Sequence, residues 1–400
     1  MKTPLVQQVL QPAKHWFILG REKELSAAEI VAVLHIKPEE FSVAKNEPLF
    51  FCVPPIKTDG AKLIKRLGGT IKIAIEIKTE LTRPELIKTI QDTLRSKTGK
   101  IIFGLSAYGN VDTTELTRLG KEIKNNLKND GLSVRFIPNR EKTLSSATVD
   151  YNHLIGKGSE FIIYESAQKF SLAQTTALQP YAEFSKRDFD RPGRDDKSGM
   201  LPPKLAMMMI NLSDPKKDDI ILDPFCGSGT IITEAMIMGY TKLIGSDISA
   251  KAVNDTQINI AWIKENLNVS CPEISLYNLD VKDLGEKINP ASIDKIVAEP
   301  YLGKPLNGQE HYDELAEQSR TLKHLYLDAF EAFKNILKPG GVVVFIFPHY
   351  QKGDKVITTS QTQEVEKLGF KLLPFDDKNH LLYERPGQRV GREIWRFKKN

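Results

Sequence analysis

Cysteine is scarce in this chain. Only three of its 400 residues are cysteines, Cys52, Cys226 and Cys271, and they lie far apart. Their spacing matches neither a zinc site nor a disulfide framework. The sequence therefore predicts no metal centre, and it favours a reducing compartment such as the cytoplasm.

Long apolar runs are missing as well. The longest runs, such as the one from Val342 to Phe347, have six residues, far fewer than the roughly 20 that a membrane-spanning helix needs. The first residues show no signal-peptide pattern. We therefore expect a cytoplasmic chain with no membrane partner, and no segment indicates an obligate protein partner.

A strong net charge is also absent, but the small surplus of +5 is unevenly distributed. Residues 1–200 carry 31 Lys and Arg against 24 Asp and Glu, whereas residues 201–400 carry 25 against 27. The basic surplus of the first half suits a solvated surface. It equally suits a segment that holds an anionic polymer, and next to a nearly neutral second half we favour that interpretation.

The second half alternates apolar, strand-like segments with helical patterns, which predicts an α/β fold with a mostly parallel, doubly wound sheet. Strands are expected at 220–222, 243–246, 274–279, 293–298 and 342–347, helices at 229–238, 249–266 and 321–337, and a closing antiparallel hairpin at 381–384 and 393–397.

The first half reads as α+β, with two small modules that meet near residue 75. Residues 179–201 are rich in charge and poor in aliphatic side chains, so they predict a connector or a lid over a site. The predicted division is 1–75, 76–168, a linker or lid at 169–200, and 201–400.

A glycine turn is the most informative motif. Asp223-Pro-Phe-Cys-Gly-Ser-Gly-Thr230 stands between a predicted strand and a predicted helix. The two glycines let the backbone approach a ligand, and the helix that follows offers unpaired N–H groups. A dinucleotide fingerprint would need a third glycine where Ile232 stands, and a phosphate loop would need a lysine after Gly229. S-adenosylmethionine, an adenosine cofactor without phosphates and with a positive charge, fits the turn and its acid.

Cys226 lies inside this turn and is interpreted as a small residue in a tight loop, since no histidine is nearby in sequence to activate it as a nucleophile.

The next predicted strand ends in a second acid, Asp247, 24 residues after Asp223. A carboxylate at this place accepts both ribose hydroxyls of an adenosine. The alternative is that Asp247 only caps the helix that begins near Ser249. The preceding glycine turn favours the ribose interpretation.

A candidate catalytic motif follows the fourth predicted strand, as Glu299-Pro300-Tyr301-Leu302-Gly303. Enzymes that methylate an exocyclic amine commonly place an acid or amide, two prolines and an aromatic residue there. Aligned on Pro-Tyr, the acid position holds Ala298. Aligned on the acid and the glycine, Glu299 is in place, and Tyr301 and Leu302 take the positions of the second proline and the aromatic. We prefer the second register because it keeps a carboxylate at the strand end.

Taken together, these motifs resemble the tRNA guanosine N2-methyltransferases that act on guanine-10, which carry an RNA-binding THUMP module before a Rossmann-like methyltransferase domain. The resemblance covers nearly the whole chain. It rests on 223–230, on the preceding 191–205, on the hairpin 383–394, on 17–30 for a ferredoxin-like module, and on 144–149 with 161–163 for the closing strands of THUMP.

The resemblance implies a set of site residues. Cofactor contacts are expected from Asp223, Phe225, Cys226, Gly227, Gly229, Thr230, Asp247, Ile248, Asp280 and Val281. Catalytic contacts are expected from Glu299, Pro300 and Tyr301, with Tyr301 or Leu302 against the base plane. Arg187, Arg191, Arg194 and Lys197 of the connector are expected to contact RNA phosphates or to order the lid, unless these charges only solvate it.

Two other functions remain compatible with the sequence. One is a DNA amino-methyltransferase that shares the glycine turn and uses its first half to recognise the target. The other is a tRNA-binding protein that lost catalysis through the altered motif at 299–303. The sequence does not distinguish mono- from dimethylation.

Overall fold

The structure is a computed structural model that describes residues 14–53, 59–194, 200–267, 269, 272–353, 355–385 and 387–400. These residues form two compact units whose chain segments interleave. The N-terminal unit takes in residues 14–21, 34–65 and 70–181, and the C-terminal unit takes in 22–33, 66–69 and 182–400.

The N-terminal unit is built on one eight-stranded sheet with the order β2-β3-β1-β4-β8-β7-β5-β6. Its strands are β1 (His15–Leu19), β2 (Phe41–Val43), β3 (Leu49–Cys52), β4 (Thr70–Leu81), β5 (Ile101–Tyr108), β6 (Val134–Ile137), β7 (Ser159–Ser166) and β8 (Lys169–Leu178). Its helices are α2 (Gly60–Arg66), α3 (Arg83–Arg95), α4 (Thr113–Asn129) and α5 (Ser146–Tyr151), with a 3₁₀ turn at Pro38–Glu40.

Local signals explain the two long helices of this unit. Thr82 and Glu85 form a capping box at the start of α3, and the Asp112 side chain accepts the Glu115 N–H at the start of α4. Such caps satisfy the first, otherwise unpaired N–H groups of a helix. Both helices bury a stripe of leucine and isoleucine in one apolar cluster with strand residues of the sheet.

The strand β4 spans residue 75, where the sequence predicts a boundary between two modules. It pairs with β1 on one side and with β8 on the other. The strands before and after residue 75 therefore belong to one sheet. The sequence does not predict α3 and β8, whose threonines and charged residues obscure their apolar spacing.

The C-terminal unit is built on a nine-stranded sheet. Its main order is β11-β10-β9-β12-β13-β17-β15, with β14 on β13 and β16 on β17. The strands are β9 (Ile220–Asp223), β10 (Lys242–Asp247), β11 (Glu273–Asn278), β12 (Ile293–Ala298), β13 (Leu337–Lys352), β14 (Lys355–Thr358), β15 (Phe370–Leu372), β16 (His380–Tyr383) and β17 (Val390–Lys399). The helices that lie wholly in this unit are α7 (Pro203–Leu212), α8 (Thr230–Ile237), α9 (Ala250–Leu267), α10 (Tyr312–Ile336) and α11 (Thr362–Lys367), with a 3₁₀ helix at Val281–Glu286. Two further helices belong to it in part: α1 (Lys23–Leu34) through its residues 23–33, and α6 (Tyr181–Phe189) from residue 182 onward.

Two apolar layers enclose this sheet. Alternate strand residues point to opposite faces, so Ile221 packs with α7, α8 and α9, whereas its neighbour Leu222 packs with α10 and the 3₁₀ helix. The five strands from β11 to β13 are parallel, and β17 is antiparallel to β13. The predicted mixed, mostly parallel α/β fold is confirmed, as is the antiparallel pairing of the last two predicted strands. The helix expected at 321–337 begins earlier, at Tyr312.

Among the helices that the structure describes, none is long and apolar enough to span a membrane.

Candidate active site

A cavity of about 490 Å³ lies in the C-terminal unit, at the carboxyl ends of its parallel strands. The chain places β10 and β11 on one side of β9 and β12 and β13 on the other. In open α/β sheets, ligands bind at such a reversal of strand order. The cavity is lined by the ends of four strands, which supply Asp223, Asp247, Asp280 and Glu299.

The glycine turn forms one wall of the cavity. Gly227 and Gly229 have φ angles of +50° and +81°, in the left-handed region that favours glycine. The space around the Cα of Gly227 is open, since an added Cβ would meet no atom within 4 Å. At Gly229 an added Cβ would lie 2.8 Å from Thr256 of α9. The first glycine therefore leaves the cavity open, and the second allows close packing behind it.

Asp247 fastens this wall to the neighbouring strand. Its two carboxylate oxygens accept the N–H groups of Gly227, at 3.0 Å, and Ser249, at 2.9 Å. The bond to Ser249 is the capping contact considered as an alternative to ribose binding. Each carboxylate oxygen retains a second lone pair, so capping and ribose binding are compatible.

Acidic side chains dominate the electrostatics of the cavity. Asp223 is buried, and this burial, with smaller contributions from the charges of Asp247 and Glu299, holds the pKa of its carboxyl well above the usual range, against one hydrogen bond from the Phe225 N–H. A positively charged ligand would favour the ionised carboxylates. The carboxylate acceptors, the open space at Gly227 and the cavity volume of about 490 Å³ fit S-adenosylmethionine.

The remaining predicted cofactor residues also line this cavity, namely Phe225, Cys226, Thr230, Ile248 and Val281. Ile248 is 71% exposed, so it offers an apolar face to a flat ring. Burial raises the pKa of the Cys226 thiol, which fits a small packing residue better than a nucleophile.

Glu299 follows the last residue of β12 and lines the cavity. Its Oε1 accepts a hydrogen bond of 2.5 Å from Nε of Arg392, and both side chains are largely buried. Arg392 lies on β17 and was not identified from the sequence. Nothing in the local pattern marks it, because its partner is 93 residues away.

The loop after Glu299 is held through its backbone. The hydroxyl of Tyr326 donates to the carbonyl oxygen of Tyr301, at 2.7 Å, and that of Tyr350 donates to the carbonyl oxygen of Leu302, at 2.5 Å. At Gly303, whose φ is +99°, an added Cβ would collide with Gln318. The loop is thereby fixed while the Tyr301 ring stays 51% exposed.

Two of the predicted phosphate ligands, Arg187 and Arg191, are buried, which favours ordering of the lid over phosphate contacts. Arg187 donates to Oε1 of Glu234, at 2.9 Å, and Arg191 donates to the Thr230 hydroxyl, at 2.6 Å. Each is only 4% exposed, so both fasten the segment before α7 to α8 and cannot meet a phosphate as placed. Arg194 is half-buried and donates to the Phe189 carbonyl oxygen. Lys197 lies outside the described residues.

The fold and the cavity together define the class of protein to which this chain belongs. A glycine turn and an acid-lined cavity at the carboxyl edge of this sheet are the features of a Rossmann-like, S-adenosylmethionine-dependent methyltransferase. The profile of the RMKL-like methyltransferase domain family matches residues 191–372. That match lies within the C-terminal unit, so the predicted THUMP module at 76–168 stays a prediction.

Similar proteins narrow the class to a family. A probable tRNA (guanine(10)-N2)-dimethyltransferase of Methanothermococcus thermolithotrophicus is 35% identical over 143 residues, 36% of this chain and 78% of that protein. A tRNA (guanine(10)-N2)-dimethyltransferase of Methanothermobacter thermautotrophicus is 28% identical over 333 residues, 82% of this chain and 86% of that protein. The chain belongs to the tRNA (guanine(10)-N2)-dimethyltransferase family.

A solved structure agrees with the fold along the whole length. TrmN from Thermus thermophilus superposes with a TM-score of 0.53 over 97% of this chain and 99% of that one, at 15% sequence identity. At this identity the likeness is one of fold.

Proposed function

We propose that this protein transfers methyl groups from S-adenosylmethionine to the exocyclic N2 of a guanosine in tRNA, at position 10. The observation that carries the proposal is the Glu299 carboxylate, which an arginine holds at the end of β12 beside the cofactor cavity. The names of the family relatives support the substrate.

The chemical difficulty is that the guanine amine is a poor nucleophile, because its lone pair is delocalised into the ring. S-adenosylmethionine, when bound, supplies an electrophilic methyl group. Glu299 accepts an N–H of the amine, and the backbone carbonyl of Pro300 accepts the other. Both contacts hold the nitrogen so that its lone pair faces the cavity, and Glu299 is placed to receive the proton that the methylated amine releases.

The base plane needs a partner once it leaves the tRNA stem. Extrusion of a paired nucleotide costs a few kcal/mol, which stacking in the pocket offsets in part. Tyr301 suits this role because its backbone is fixed and its ring is exposed.

The first half of the chain is the proposed tRNA-binding part, with THUMP at 76–168 and a ferredoxin-like module at 1–75. Its basic surplus suits binding by shape and phosphate contacts. The enzyme would then act in the cytoplasm, where its tRNA substrate is found.

The decisive experiment compares wild type with Glu299→Ala and Glu299→Gln on an unmodified tRNA transcript, followed by nucleoside analysis. We expect N2-methylated guanosine at position 10 from wild type and a loss of at least about a hundredfold in Glu299→Ala. Glu317→Ala is the matched control, because Glu317 is exposed on α10 and its loss should leave the rate unchanged.

Three outcomes would contradict the proposal. Full activity of Glu299→Ala would reject the register of the motif. Methylation of duplex DNA in place of tRNA would favour a DNA amino-methyltransferase. Binding of tRNA and cofactor without turnover would favour a protein that has lost catalysis.

A further inference from the structure

Arg392 holds Glu299 in place through Nε, and its guanidinium has further N–H donors that this contact does not use. We propose that Arg392 is the residue that selects guanine, by donating a hydrogen bond to O6 of the base while Glu299 accepts from N1–H and the 2-amino group. The inference rests on the proposed function and names the determinant of base specificity at the same site.

The guanidinium is held rigidly. Its Nε donates to Oε1 of Glu299, and its Nη1 donates to Oε1 of Gln388, at 2.9 Å. The residue is 6% exposed and lies on β17, whose backbone pairs with β13 at Pro348. An arginine fixed at two of its nitrogens loses little further freedom when it binds a ligand.

One nitrogen of this guanidinium, Nη2, remains for a ligand. No hydrogen bond joins Nη2 of Arg392 to another residue in the described part of the chain, and Arg392 contributes to the cavity wall. Similarly, the protein bonds described for the Glu299 carboxylate involve Oε1 alone, which leaves Oε2 and the second lone pair of Oε1 to accept from the base. Glu299 and Arg392 together thus present carboxylate acceptors and a cationic donor, side by side, to a ligand in the cavity.

Guanine is the base whose Watson–Crick edge complements this arrangement fully. Along that edge it presents two donors, the 2-amino group and N1–H, followed by the O6 acceptor. Adenine and cytosine each present one donor and then a ring nitrogen that is an acceptor, which would leave one carboxylate oxygen against a lone pair. An unpaired buried charge is expensive, so the site should reject both bases.

The test replaces only the O6 atom of the substrate. Transcripts that carry guanine or 6-thioguanine at position 10 are methylated by wild type and by Arg392→Lys, and kcat/KM is measured for each. Sulfur is a weak acceptor, so wild type should prefer guanine by about ten- to a hundredfold. Arg392→Lys keeps a cation beside Glu299 but lacks the guanidinium fork, so the preference should fall to within about threefold.

A structural role alone would lower both rates together and leave their ratio unchanged. Lys398→Met, which removes an exposed cation from the same strand, should retain the wild-type ratio. Equal rates of wild type on both transcripts would overturn the inference even if the arginine variant does not fold. If wild type methylates neither transcript, the proposed function fails and the inference fails with it.

Discussion

Asp247 uses both carboxylate oxygens within the protein and still faces the cavity. It joins the glycine turn at Gly227 to the start of α9 at Ser249. One residue therefore sets the position of two walls of the cofactor site, and capping and ligand binding are linked in a single side chain.

Asp247→Ala should weaken the binding of S-adenosylhomocysteine by at least about tenfold, because it removes an acceptor for the ribose and releases the N–H of Gly227. A lost hydrogen bond to a charged group corresponds to about 1.5–3 kcal/mol. Isothermal titration calorimetry measures the change. Asp283→Ala, at an exposed acid in the 3₁₀ helix of the same unit, is the control and should bind as wild type does. Unchanged affinity in Asp247→Ala would limit the residue to capping.

Individual residues differ in how far sequence predicts them. Asp223, Asp247 and Glu299 were predicted because each ends a recognisable strand, and strand ends meet at one edge of a parallel sheet. Arg392 was missed because its role depends on a strand that returns antiparallel beside β13. For Arg187 the sequence left phosphate contact and ordering of the lid open, because it does not reveal a buried partner such as Glu234.

At the scale of elements, α9 connects the glycine turn with the segment before α7. The side chain of Asn259 accepts the Gly193 N–H, at 2.8 Å, and donates to the carbonyl oxygens of Gly193, at 2.8 Å, and Ser228, at 2.7 Å. The five parallel strands around the site and the helices α8, α9 and α10 were predicted, although α10 and β13 begin several residues before their predicted starts. The hydrogen bonds of Asn259 were not predicted, because a single amide side chain in a helix belongs to no sequence pattern.

Asn259→Leu should reduce affinity for S-adenosylmethionine by about tenfold or more and lower stability by about 1–3 kcal/mol, since it leaves buried backbone groups without partners. Calorimetry and urea unfolding measure the two effects. The control is Asn266→Leu, at an exposed position on the same helix. It should change neither the free energy of cofactor binding nor the free energy of unfolding by more than about 0.5 kcal/mol. If Asn259→Leu loses stability but binds the cofactor normally, the hydrogen bonds of Asn259 stabilise the fold without contributing to the cofactor site.

At the scale of the whole molecule, the chain enters the C-terminal unit twice before residue 182, at 22–33 and at 66–69. The carboxylate of Glu29 joins these segments to α7. It accepts the N–H groups of Gly68 and Gly69, each at 2.8 Å, and the side-chain amide of Asn211, at 2.7 Å. The interleaving could not be predicted, because these residues lie up to 182 positions apart.

Glu29 should also give the protein a characteristic dependence of stability on pH. The side chain is fully buried, and burial raises its pKa from 4.5 to about 7 despite three hydrogen bonds. As the pH falls through about 7, the native carboxylate takes up a proton, whereas in the unfolded chain it stays ionised down to about 4.5. Between these values the native state binds more protons, so this group raises the free energy of unfolding as the pH falls.

Comparison with Glu29→Gln, which does not titrate, isolates this contribution. Since one pH unit corresponds to about 1.4 kcal/mol, wild type should gain up to roughly 3 kcal/mol over the variant between about pH 8 and pH 4.5, most of it by about pH 5. Urea unfolding of both proteins across this range measures the difference, with Glu39→Gln, at an exposed glutamate, expected to run parallel to wild type. If Glu29→Gln also runs parallel to wild type, the carboxylate is ionised throughout the range, and its three donors outweigh the cost of burial.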